Sequence, residues 1–148
     1  MRYILDTCIL SEPTKKAPNP GVLSWFAEHE ADFLIPSISI MEMQYGVSRM
    51  PDCERKTKIQ GYVKKIVELW VDIIVPFDAS IAARAGLLKA QAASAGTPLE
   101  IEDIIIAACA LEMGAVLVTR NEKHFKQVEQ LPCVAGNLRI ENPYTDDI

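Results

Sequence analysis

Short runs of apolar residues, spaced along the whole chain, constrain its fold more than any other feature. They are Tyr3-Ile4-Leu5, Phe33-Leu34-Ile35-Pro36-Ser37, Asp72-Ile73-Ile74-Val75-Pro76 and Ala115-Val116-Leu117-Val118-Thr119. Each is too short for a helix and too continuously apolar for a half-wet strand, so each reads as a strand buried in a sheet. Leu138-Arg139-Ile140 is a further candidate near the end. Strands that alternate with helices imply an α/β domain with a mostly parallel sheet of four or five strands and helices on both faces.

The segments between these runs carry helical signals. Asn19-Pro20 reads as a cap followed by a proline in the first turn, opening a helix through Val22, Leu23, Phe26 and Ala27 that ends near Glu30. Ser39-x-x-Glu42 opens the next, through Ile40, Met43 and Val47, which stops before Pro51. Ile59, Tyr62, Val63, Ile66, Val67 and Trp70 keep helical period, with Lys56, Lys58, Lys64 and Lys65 on the other side. Asp78 caps an alanine-rich helix ended by Gly96, whose small residues let another helix come close, in the core or across a dimer. The stretch from Glu102 to Met113 is apolar nearly all round and therefore central.

Ser11 to Gly21 reads as a surface loop, Arg120 to Phe125 begins a short amphipathic turn, and Trp25, Phe26 and Trp70 fall at core positions. One domain is expected over residues 1–141, with a polar, frayed tail over 142–148.

The formal net charge of −5 argues against a nucleic-acid binder working by bulk electrostatics, an argument that weakens if a divalent metal neutralises three carboxylates. Cys8, Cys53, Cys109 and Cys133 form no Cys-x-x-Cys pair and read as reduced thiols. With no leader and no apolar run near the length of a membrane span, a soluble cytoplasmic protein is expected.

Chemistry enters through three acids. Asp6 ends the first strand, Glu42 follows the second, and Asp103 opens the most apolar helix, so all three are expected at the carboxyl edge of the sheet, where parallel sheets bind ligands. Carboxylates gathered there repel one another unless cations, protons or helix amino termini stabilise them. Oxygen ligands without histidine or thiolate suit Mg²⁺ or Mn²⁺, and such ions support in-line attack of water on a phosphodiester. Each acid also has a plain structural reading. Asp6 would merely end a strand, Glu42 would bond back to the Ser39 amide in a capping box, and Asp103 would only complement a helix dipole.

The successive blocks Tyr3-Ile4-Leu5-Asp6-Thr7 with Ser11-Glu12, Ser37 to Gly46, Gly96-Thr97-Pro98 through Asp103 to Ala108, and Leu117 to Phe125 resemble the PIN-domain nucleases, and among them the VapC-type toxins of bacterial toxin–antitoxin pairs. The blocks keep the family's order and span nearly the whole chain. The resemblance implies a Mg²⁺-dependent endoribonuclease in which Asp6, Glu42 and Asp103 are the catalytic acids, with Asp6 and Asp103 the direct metal ligands. It also implies a cognate antitoxin and a resting homodimer.

Two positions depart from the family pattern. Cys8 stands where asparagine or serine is common, and Asn121 stands where many members place a fourth acid. The Asn121 amide can still accept from a metal-bound water, and Glu102 is a candidate substitute. Arg120, Lys123 and Lys126 form a basic cluster suited to RNA phosphates, or simply a solvated face. Asp78 reads as a cap and His124 as an exposed loop residue. The competing class is a PIN-like binding module with weak catalysis, acting inside a repressor complex.

Overall fold

Hydrophobic runs and helix caps divide the chain where the sequence marks them. In the computed structural model, which describes residues 1–145, the chain runs through β1 (Tyr3–Leu5), α1 (Thr7–Ser11), a 3₁₀ turn (Glu12–Thr14), α2 (Pro20–Glu28), β2 (Phe33–Pro36) and α3 (Ser37–Ser48). It continues through α4 (Glu54–Leu69), a 3₁₀ turn (Val71–Ile73), β3 (Ile74–Val75), α5 (Ala79–Ser94), α6 (Ile101–Met113), β4 (Val116–Val118), α7 (Glu122–Glu129) and β5 (Ile140–Glu141). The five strands lie in the order β3-β2-β1-β4-β5, and every neighbouring pair is parallel. β1 is central, with Tyr3 paired to both Phe33 and Val116.

Alternation along the strands builds two cores. Ile4 and Leu117 point to one face and join α5, α6 and α7 through Leu88, Ile104, Ala108 and Phe125. Leu5, Ile35 and Val118 point to the other and join Ile9, Leu10, Val22, Trp25, Met43 and Ile66. Of the small residues of α5, Ala85 and Ala92 are buried with Leu88 in the same core as α6, while Ala83, Gly86 and Ala90 are exposed. No helix among the described residues is long and apolar enough to cross a membrane.

Local chemistry explains the boundaries. The Asn19 side chain accepts hydrogen bonds from the amides of Gly21 and Val22, with Pro20 at the first helical position. Asp78 Oδ1 accepts from Ile81 N at 2.9 Å, and Gly114 ends α6 in the left-handed region at φ 58°.

Three expectations are corrected. Ser11 to Gly21 is not loop from its start, because α1 reaches Ser11 and a 3₁₀ turn follows. Burial of Ile9 and Leu10 holds this short helix in place. Ser39 does not cap α3, which begins two residues earlier at Ser37 with no side-chain cap; its hydroxyl instead donates to Leu5 O of β1 at 3.3 Å. The frayed tail is not seen over residues 142–145, while residues 146–148 lie outside the described residues.

Asn19 joins the tail to α2, its Nδ2 donating to Thr145 O at 2.9 Å and its Oδ1 accepting from Thr145 N at 3.1 Å. Tyr144 OH donates to Glu12 Oε2 at 2.7 Å. The tail passes so close to α2 that a Cβ at position 21 would collide with the Pro143 carbonyl, which is why glycine stands there.

Candidate active site

Asp6 leaves β1 and turns the chain into α1, so its carboxylate is fixed by the fold and not by side-chain preference. It is 4% exposed. Oδ1 accepts from Thr7 N at 2.7 Å, and Oδ2 accepts from the Thr119 hydroxyl at 2.6 Å. Cys8 Sγ lies 3.5 Å from the same Oδ2. The thiol is thus a weak donor where the family pattern has an amide or hydroxyl, and burial together with the Asp6 charge pushes its pKa up to about 12. It stays protonated and keeps that contact at neutral pH.

Glu42 rises from the first half of α3 toward the same edge. Its Oε1 accepts from the Thr7 hydroxyl at 2.6 Å, a bond between residues 35 apart in sequence. The capping box is therefore not what occupies Glu42. Burial, followed by the charges of Asp6, Glu102 and Asp103, raises its carboxyl above the usual range, against the lowering effect of the Thr7 bond.

Asp103 sits in the first turn of α6. Burial and then the Asp6 charge raise its pKa, while His124 works in the other direction. His124 Nδ1 is 3.2 Å from Asp103 Oδ2. This corrects the reading of His124 as a loop residue, since it lies on α7 and reaches across to α6.

The acids expected at one edge therefore feel one another there, Asp6 raising both Glu42 and Asp103. Glu102, a neighbour of Asp103 in sequence, belongs to the same field. With Met41, Glu42, Tyr45, Glu100 and Asp103 it lines a cavity of about 570 Å³.

The other expected residues sit apart. Asn121 is exposed at the cap of α7, where its side chain makes no capping bond, although its backbone amide donates to Thr119 Oγ1 at 2.9 Å. The Arg120 guanidinium lies over the Tyr144 ring at 4.6 Å, stacked against the tail. Lys123 and Lys126 are exposed on α7.

Thr7 and Thr119 are the residues whose importance sequence reading missed. Each was visible only as the polar end of a strand, yet each hydroxyl orients an acid from a different element.

Among the described residues, no group of three or more histidine, cysteine, aspartate or glutamate side chains closes into a metal cage. An open set of carboxylate oxygens is nevertheless the donor chemistry of a small hard cation, which keeps several waters and takes one or two carboxylates. Burial first, and then the charges of neighbouring carboxylates, raise Glu42 and Asp103, and a bound cation would offset the charge part, so the residues fit such an ion.

The PIN domain family model matches residues 3–131. The chain belongs to the PIN-domain family. Among the relatives of this PIN domain, the tRNA(fMet)-specific endonuclease VapC of Shigella flexneri is 30% identical over 145 residues, covering 96% of this chain and 98% of the relative. The plasmid stability protein StbB of Pseudomonas syringae pv. tomato is 28% identical over 143 residues, covering 95% and 97%. A chain in the structure of FitAB bound to an IR36 DNA fragment superposes with a TM-score of 0.80 at 26% identity, covering 99% of this chain and 98% of that one. This PIN domain is thus related to VapC ribonucleases and to the toxin FitB.

Proposed function

We propose that this PIN domain is a Mg²⁺-dependent endoribonuclease toxin, with Mn²⁺ able to substitute, that cleaves RNA phosphodiester bonds and is neutralised by a cognate antitoxin. The reading rests on the mutual electrostatic field of Asp6, Glu42 and Asp103 at the carboxyl edge of a parallel sheet.

Asp6 and Asp103 would hold the ion, and Glu42 would complete its environment. The ion supplies a Lewis acid for the phosphoryl oxygens and lowers the pKa of an attacking water. Thr7 and Thr119 keep Glu42 and Asp6 oriented, so little reorganisation is needed when substrate arrives. The Asn121 amide is available to accept from a water at the rim, and Arg120 and Lys123 to hold phosphates.

RNA is the proposed substrate because relatives are named as ribonucleases and as tRNA(fMet)-specific endonucleases. A protein antitoxin is proposed because relatives of this chain occur in the FitAB and Rickettsia felis VapBC2 pairs, and one relative is named toxin FitB. The resting state proposed for the toxin is a cytoplasmic homodimer.

The test is cleavage of a mixed cellular RNA pool by protein purified free of any co-expressed partner. Discrete fragments are expected with Mg²⁺ or Mn²⁺, and none with chelator or with Asp6→Ala. The binding-module reading is favoured by one observation, the exposed and uncapping Asn121 where a fourth acid is common. Equal silence of wild type and Asp6→Ala under both metals would select it.

A further inference from the structure

The chain as a whole is acidic, at −5, yet one groove is not. Lys15, Lys16, Arg55 and Lys58 line a depression of about 690 Å³ between the 3₁₀ turn and the start of α4, against one carboxylate, Glu54. Arg55 and Lys58 are three residues apart and so share a face of α4. The Lys15 ammonium is held 2.8 Å from the buried Glu12 carboxylate, which fixes its position. Among the described residues, Lys16, Arg55 and Lys58 have no ion-pair partner.

This groove does not stop at the surface. It shares Thr14, Lys15 and Arg55 with a cleft of about 280 Å³ that also carries Thr7 and Glu42. The cations of the groove therefore border the cleft that holds the acid Thr7 orients. The basic residues singled out in the sequence, Arg120 and Lys123, line neither cavity.

We propose that this groove is the track for the RNA backbone on one side of the scissile phosphate, with Arg55 and Lys58 as its principal phosphate contacts. The inference rests on the ribonuclease reading. Acids at the cutting point repel a polyanion, so cations displaced to the flank can supply attraction without neutralising the site. Phosphate contacts of this kind position the strand and carry no base preference.

The test is fluorescence anisotropy of a mixed-sequence single-stranded RNA, measured over a salt series, with Asp103→Asn as the parent so that no strand is cut. Arg55→Ala/Lys58→Ala on that parent should lower the slope of log affinity against log salt by about 1.4, and weaken binding about twentyfold near 0.1 M salt. The exposed pair Lys64→Ala/Lys65→Ala, farther along the same helix, should leave the slope unchanged. Unchanged melting temperatures of both pairs exclude a folding defect. If the groove pair unfolds, Lys16→Gln/Lys58→Gln replaces it with the same expectation of a lowered slope.

An unchanged slope and affinity in the groove variant, with RNA still bound and cut by the wild type, overturns the track but leaves the nuclease intact. Absence of both binding and cutting in the wild type overturns the two together. An unchanged RNA slope with lost binding of poly-L-glutamate would instead assign the groove to an acidic protein segment and also overturn the proposal.

Discussion

Asp6 and Asp78 occupy equivalent positions in the chain, and their fates differ. Each follows a parallel strand and caps the helix that comes next, Asp6 through Thr7 N and Asp78 through Ile81 N. Asp78 lies at the exposed edge strand β3. Asp6 follows the central strand, where β4 on one side brings Thr119 and α3 behind brings Glu42. A capping aspartate becomes a candidate catalytic group when neighbouring strands surround it, because hydroxyl donors and other acids from distant elements then gather around a carboxylate that the backbone holds still.

The largest test of that contrast removes the two acids in turn. Asp6→Ala should reduce RNA cleavage by more than about a hundredfold, since losing even an outer partner of a metal site costs up to that much. Next is Thr119→Val, which keeps the shape and deletes the donor to Asp6 Oδ2. It should lower metal affinity or cleavage about 10- to 100-fold, read by metal titration and by initial rates.

A third effect is one of pH. Glu42 and Asp103 have folded-state pKa values raised above their ordinary 4.5 and 3.8. Between those values and the raised ones the folded protein binds more protons than the unfolded chain. Their contribution to stability is thus fully present below the ordinary values and is lost as pH rises through the raised ones. In chelator, the melting temperature should fall as pH rises from about 4 toward neutrality, beyond any trend in Glu42→Gln/Asp103→Asn. Mg²⁺ should restore it near pH 7 and have little effect near pH 4, where protonated carboxyls compete with the ion. A flat metal-free profile would break the claim that the acids share one field.

The smallest effect belongs to the other aspartate. Asp78→Ala should cost about 1 kcal/mol of stability through loss of the cap, measured by denaturant unfolding, with cleavage unchanged. A loss of activity there would erase the distinction between the two junctions.

Much of this was legible before the structure. The ends of β1 and α6, the Asn19-Pro20 start, the Asp78 cap and the Gly114 stop are all local events, decided by residues within a few positions of one another. The expectation that three acids gather at one sheet edge came from the position of each, after a strand or at the start of a helix. Ser39 and Glu42 were harder to read, because the spacing of a capping box is also what an i,i+3 pair near a helix start looks like. Nothing local distinguishes a serine that caps its own helix from one that donates to Leu5 O, 34 residues away.

By itself, then, the sequence determined the α/β layout and the starts or stops of the capped helices α2, α5 and α6, since hydrophobic period and cap chemistry act over short range. Tertiary structure alone decided that Thr119 restrains Asp6 across 113 residues, that His124 meets Asp103, and that Lys15 and Arg55 line both the basic groove and the cleft that holds Glu42. Side-chain hydrogen bonds and shared cavities depend on how strands and helices pack, and packing joins residues that no spacing rule relates.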